Sequence, residues 1–236
     1  MKIHFVTASF NRSRPDPIDI CSSHDISVAT YNDANTPSRH LAMHPRLKAK
    51  VPKMLEWKNV DADWYVWIDD SLSVISKDLA ADIINCAGEN KLCLFKHPSR
   101  KTILEEYLFI SESIKKGNLY LKSSCLGEPL KEQIEHYLKD QSFNDNSLFW
   151  MGFFAYHRSV SNLMLDWFLE NVNWSIRDQL SFPYVLSKYD LKYSIFEGDM
   201  FNNPYVAHRK ILKKGIFGRF IYKITNLYNS FKSFNW

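Results

Sequence analysis

Trp64-Tyr65-Val66-Trp67-Ile68-Asp69-Asp70-Ser71 decides the fold: five large apolar residues run without a break into two carboxylates and a hydroxyl. A run with no polar alternation has no solvent face, so it predicts a strand buried on both sides, as in a helix-covered parallel sheet. The carboxylates then fall at the strand's carboxyl end, where open α/β sheets bind ligands. Acids also begin loops as capped turns, so the pair carries both readings. Asp61-Ala62-Asp63 precedes the same strand, falls at the opposite end of the sheet, and reads as a solvated turn.

Working outward, Lys2 to Ala8 predicts a first strand, Asn11 to Asp19 (with Pro15 and Pro17) a loop, and Ile26 to Tyr31 a second strand. From Arg46, the spacing of Leu47, Val51, Met54 and Leu55 suits a helix with Lys48, Lys50 and Lys53 around its rim and Pro52 confined to its first turns. Beyond the central run, helices are expected over Leu79 to Cys86, Ile103 to Ile114, Pro129 to Leu138, Ser159 to Asn171 and Ile176 to Ser187. Strands are expected over Leu92 to Lys96, Leu148 to Tyr156 and Tyr193 to Phe196, and Gly152 reads as room for a ligand or another backbone. Strands alternating with helices predict a layered α/β fold with a mainly parallel central sheet.

A length of 236 residues with 45% hydrophobic composition supports one well-cored domain over residues 1–208. Cys21, Cys86, Cys93 and Cys125 form no C-x-x-C pair, which argues against a zinc knuckle or a disulfide scaffold and for reduced thiols. No apolar run approaches a membrane span and the first residues lack a secretory core, so the expected location is cytoplasmic. Residues 209–236 hold seven of the Lys and Arg and no acid, so the overall charge of +4 hides a net acidic remainder. Phe217, Phe220, Ile221, Ile224, Tyr228 and Phe231 at helical spacing make this tail an expected amphipathic helix on the inner face of an anionic membrane. The alternative for such a tail is nucleic-acid binding, with rings stacking between cations, although no nucleic-acid partner is expected.

Four blocks carry a family resemblance: Arg46 to Lys53; Asp63 to Asp69; Lys96-His97-Pro98-Ser99-Arg100 with Glu105-Glu106; and Arg177-Asp178-Gln179-Leu180-Ser181-Phe182. In this order they resemble the glycosyltransferase-like family long known as domain of unknown function 616, related to glycogenin-type enzymes of the GT-A fold. The resemblance implies a GT-A-like domain that moves a sugar from a nucleotide-sugar donor, expected to be a uridine diphosphate sugar, to a growing polysaccharide or lipid-linked glycan such as lipopolysaccharide or capsule. A non-catalytic nucleotide- or carbohydrate-binding protein of the same fold is the alternative.

On that resemblance the end of the first strand, with Thr7 and Ala8, approaches the nucleotide base, and Asp69, Asp70 and Ser71 take the place of a D-x-D motif. Ser71 stands where the second acid belongs, which weakens a two-carboxylate bridge to a metal. A divalent cation, manganese or magnesium, is expected on Asp69 and on His208, which resembles the late histidine of GT-A enzymes. Arg46, Lys50 and Lys53 read either as diphosphate or base contacts or as a solvated face. His97 and Arg100 follow a buried strand and suit recognition of phosphate or acceptor. Asp178, flanked by Arg177 and Gln179 as substrate contacts, reads either as a helix N-terminal acid or as the carboxylate beneath the transferred sugar, a general base for the acceptor hydroxyl if the reaction inverts or a stabiliser of the oxocarbenium-like centre if it retains.

Overall fold

A computed structural model describes residues 1–11, 18, 20, 22–36 and 44–209. The expected tail helix from residue 210 on, residues 12–17 of the first loop, and Cys21 lie outside them. Cys86, Cys93 and Cys125 are free thiols.

The central run forms β3 (Trp64–Ile68), buried at every residue, at the middle of a six-stranded sheet. β1 (Lys2–Ser9) lies beside it in parallel, and β2 (Asp25–Asn32) pairs in parallel with the far edge of β1. On the other side β6 (Phe149–His157) runs antiparallel to both β3 and β5 (Leu92–Lys96), and β7 (Ser194–Ile195) closes the sheet parallel to β5. The order is β2-β1-β3-β6-β5-β7, a mixed, mainly parallel sheet with β6 alone reversed. From β1 the chain goes one way to β2, then returns across β1 to β3. Ligands of open α/β sheets sit at such a switch point, here at the carboxyl ends of β1 and β3.

Strand alternation sends side chains to two cores. Val6, Ala8, Tyr65, Trp67 and Leu94 pack with Met54, Met164, Trp167 and Phe182, which belong to α1 (Pro45–Leu55), α6 (Ser161–Asn173) and α7 (Asp178–Ser187). Ile3, Phe5, Val66, Ile68 and Phe95 pack on the other face against α2 (Leu79–Ala87). A third cluster joins α3 (Ile103–Lys115), α4 (Leu119–Cys125) and α5 (Leu130–Lys139) through Ile110, Leu121, Ile134 and Tyr137.

The chain departs from the sequence expectation at four places. Helix α1 starts at Pro45, with His44 as its cap, so Pro52 lies in its second half and not in its first turns. Gly152 makes room for neither ligand nor foreign backbone: a Cβ there would meet the Trp150 indole of its own strand at 2.7 Å. Helix α4 was not foreseen, because Leu119-Tyr120-Leu121-Lys122-Ser123-Ser124-Cys125 is short and mixes apolar with small polar residues. The small sheet of β4 (Leu72–Val74) and β8 (Val206–His208) was not foreseen either, since three-residue strands carry too few residues to show alternation.

Candidate functional site

Four chain segments converge at one edge of the sheet: the carboxyl ends of β1, β3 and β5, and the amino end of the reversed β6. The acids after β3 form a tight turn, with the Leu72 amide donating to the Asp69 carbonyl at 2.9 Å. Asp69 Oδ1 accepts from Trp67 Nε1 at 2.6 Å, and Asp70 Oδ2 accepts from Ser9 Oγ at 2.7 Å. Burial pushes the Asp69 carboxyl up, and the Lys53 ammonium opposes that shift.

Asp178 lies at the first position of α7, where the helix dipole favours an anion. Its carboxylate is held from the opposite wall by α1: Lys50 Nζ and Lys53 Nζ both donate to Oδ2, the latter at 2.6 Å. Residues three apart share a helix face, so one turn of α1 delivers both cations to one oxygen. Lys53 also donates to the Met151 carbonyl at 2.6 Å and lies 5.3, 5.6 and 5.7 Å from the centroids of Trp67, Phe154 and Trp167. An ammonium ion caged by three rings and two oxygens is compensated for its lost water.

Lys50, Lys53 and Asp178 are 8%, 4% and 8% exposed, so these two cations of α1 are no solvated rim, whereas Arg46 and Lys48 are half-buried. Asp178 is held well below the usual carboxylate range: burial alone would raise it, and Lys50 and Lys53 together outweigh that. Burial pushes Lys50 down to about 8 against the pull of Asp178. A carboxylate fixed in its ionised form is a weak proton acceptor but a permanent negative charge. Asp178 is therefore suited to orienting hydroxyls or facing positive charge, and poorly suited to being a general base.

Beside this clamp lies a second charged cluster. Glu106 of α3, fully buried, pairs with Arg100 and with Arg177 Nη2, the latter at 2.6 Å. His97 Nδ1 faces the Arg100 amide at 3.0 Å and Nε2 faces Arg100 Nη2 at 2.8 Å. Burial first, and then the charge of Arg100, push the imidazole down to about 4, so it is neutral. Arg100 also lies over the Phe109 ring, 4.0 Å from its centroid. The guanidiniums of Arg100 and Arg177, expected to meet substrate, both pair with Glu106, and Arg177 immediately precedes α7. Gln179 donates to the Phe149 carbonyl at 3.3 Å and ties the same turn to β6.

The remaining sites divide by exposure. Thr7 is 1% exposed, with its hydroxyl unpartnered among the described residues, and Ala8 packs into the core. The first-strand residues expected at the nucleotide base are thus closed off, and the chain reaches solvent at Asn11. Arg46, one turn before Lys50, lies over the Tyr120 ring at 4.4 Å. Ser71 is exposed. Its carbonyl accepts from the Arg209 amide at 2.9 Å, and Leu72 pairs with His208, so the late histidine lies beside the Asp69–Ser71 turn. Asp61 and Asp63 are at the far end of β3, where Asp63 accepts from the Lys2 amide at 2.7 Å.

Sequence reasoning gave Lys53 no role of its own beyond the α1 cations and gave Glu106 none. The signal for Lys53 was its register: Lys50 and Lys53 fall on the face of α1 that also buries Met54. Glu106 had the matching signal, four residues before the buried Ile110 on α3.

The family described as TOD1/MUCI70, glycosyltransferase-like domain, matches residues 38–214, three quarters of the chain. Among solved structures, the chain is similar to a glycosyltransferase involved in the glycosylation of the major capsid of PBCV-1, at 9% sequence identity and a TM-score of 0.46, over 88% of this chain and 92% of that one. No curated protein matches it.

Proposed function

The chain belongs to the TOD1/MUCI70 glycosyltransferase-like family, and from that premise we propose that it transfers a sugar from a nucleotide diphosphate donor to a glycan acceptor at the crevice between β1 and β3. The observation that carries this reading is the Lys50–Asp178–Lys53 clamp at the carboxyl edge of the sheet, beside Asp69. Glycosyl transfer builds positive charge at the anomeric carbon while negative charge leaves on the diphosphate. A site for it needs a fixed anion and a fixed cation a few ångströms apart, already oriented before reaction. Asp178 is the anion, locked in place by two lysines, the α7 dipole and the Glu106–Arg177 pair.

Asp178 then faces the sugar, accepting from its hydroxyls and stabilising the oxocarbenium-like centre. Among the described residues no three of His, Cys, Asp and Glu converge to hold a metal ion. Asp69 and His208 lie on adjoining segments and offer one carboxylate and one imidazole. That donor set fits a manganese or magnesium ion whose other ligands come from the diphosphate. Such an ion would neutralise the leaving group when bound. Ser71, in place of a second acid, favours a second reading in which cationic side chains such as Arg46 neutralise the diphosphate without a metal.

A uridine diphosphate donor and a polysaccharide or lipid-linked acceptor remain part of this proposal, as does membrane association of the tail. A thermal-shift series with nucleoside diphosphates, with manganese and with chelator, tests it: a competent donor raises the melting temperature by mass action. Stabilisation by uridine diphosphate that chelator abolishes supports the metal reading, and stabilisation that survives chelator supports the cationic one. No stabilisation by any nucleoside diphosphate overturns the nucleotide-sugar assignment.

A further inference from the structure

The α3–α4 hairpin exposes apolar surface that the core does not use. Leu119 is 80% exposed, Leu126 67%, Tyr120 57% and Leu108 54%, while Ile110, Leu121 and Cys125 of the same helices point inward. Six consecutive residues at the tip, Lys115-Lys116-Gly117-Asn118-Leu119-Tyr120, are exposed. Residues 113–127 include Lys115, Lys116 and Lys122 and no acid. Glu112, just outside, is paired with Lys116 at 2.7 Å. Tyr120 is held by Arg46 over its ring, one turn from Lys50, so the hairpin adjoins the α1 wall of the crevice.

We propose that α4, with the turn that precedes it, is a membrane-docking element, which inserts Leu119, Tyr120 and Leu126 at the interface of an anionic lipid surface while Lys115, Lys116 and Lys122 meet headgroups. Leucine side chains offer nothing to the hydroxyls of a free glycan, and two copies of an acid-free, lysine-bearing tip would bring like charges together. An anionic bilayer answers both features: hydrocarbon takes the leucines, phosphate takes the ammonium groups, and a tyrosine ring is stable between them. This surface is separate from the basic tail and does not depend on the chemistry of the site. Docking there would turn the crevice toward the bilayer, where a lipid-borne acceptor is presented.

The test is co-sedimentation of the full chain with phosphatidylcholine vesicles, with and without phosphatidylglycerol. The Leu119→Glu/Leu126→Glu variant is compared with wild type and with Leu169→Glu, an exposed leucine on α6. The outward position of Leu119 and Leu126 leaves the fold intact, which an unchanged melting temperature verifies. The expected result is binding to the anionic vesicles that falls about tenfold in the double variant, the scale of losing apolar burial at one to two leucines. Leu169→Glu is expected to match wild type. Lys115→Gln/Lys116→Gln/Lys122→Gln should lower binding and flatten its salt dependence. Binding unchanged by the leucine and lysine variants assigns the membrane to the tail and overturns the proposal. Absence of vesicle binding by wild type overturns it too, and a dimer in size-exclusion chromatography that the same substitutions dissolve would then give the surface to a second copy. Nucleoside diphosphate stabilisation, measured in parallel, keeps failure here distinct from failure of the glycosyltransferase reading.

Discussion

The two ends of β3 hold the same residue type in opposite circumstances. At the amino end Asp61 and Asp63 have side chains 89% and 52% exposed, meeting Arg158, the Lys2 amide and the N-terminal amine. At the carboxyl end Asp69 accepts from the Trp67 indole and lies in the field of Lys53, Asp178 and Lys50. Water screens the first pair almost completely. The second set lies where screening is weak, so each charge is felt by its neighbours, and removing Asp178 leaves two buried ammonium groups uncompensated. A literal D-x-D spelling at Asp61–Asp63 is thus more solvated and more screened than the broken one that begins at Asp69.

The sharpest way to break this comparison is Asp178→Asn. The substitution is nearly isosteric, yet it leaves two buried ammonium groups around a neutral amide. Unfolding free energy should fall by about 3–5 kcal/mol, the scale of a broken buried pair. Turnover should fall by roughly 10²-fold or more, the scale of one lost electrostatic stabiliser of the transition state. Adding Lys53→Met should recover part of the stability and none of the turnover, in denaturant melts and in donor-consumption assays. Full recovery of turnover would make the clamp purely structural.

Next in size is Asp69→Asn set against Asp63→Asn. Burial already disfavours the Asp69 charge, so neutralising it should cost little stability. Turnover should nevertheless drop by about 10–10²-fold, as for one lost electrostatic contact to a leaving group. Asp63→Asn should leave both unchanged. Equal effects from the two variants would erase the distinction between the ends of the strand.

The pH dependence should follow the clamp. Asp178 is depressed in the folded state, so its stabilisation is present above the ordinary carboxylate range and is lost as pH falls through its folded value. Lys50 is depressed to about 8, so between that value and its unfolded pKa the unfolded chain holds more protons. Taken alone, that group makes stability rise with pH across this window. Activity should move the other way and decline above about 8 as the ammonium holding Asp178 loses its proton. Lys50→Arg should carry that decline to higher pH if the guanidinium reaches Asp178, and pH–rate profiles of the two proteins decide it. The smallest expected effect is Asp61→Asn, which should leave the melting temperature and turnover at wild-type values, since exposed ion pairs contribute little.

What the sequence determined by itself was whatever local pattern controls. The uninterrupted Trp64–Ile68 run specified a central strand to the residue, and the alternation and spacing around it placed β1, β2, α2, α3 and β5 within a residue or two. Position relative to that strand was enough to separate Asp69 from Asp63. Only the tertiary structure decided that the late Asp178 meets Lys50 and Lys53 of α1, more than a hundred residues earlier, because that contact depends on α1 and α7 both packing against α6 on the same face of the sheet. Three cations on a helix look solvated until the partner arrives from elsewhere, and two arginines beside an acid look free until Glu106 is found between them. Helical spacing fixes which side chains share a face, but burial and pairing depend on what packs against that face, and residue spacing within one segment does not encode it.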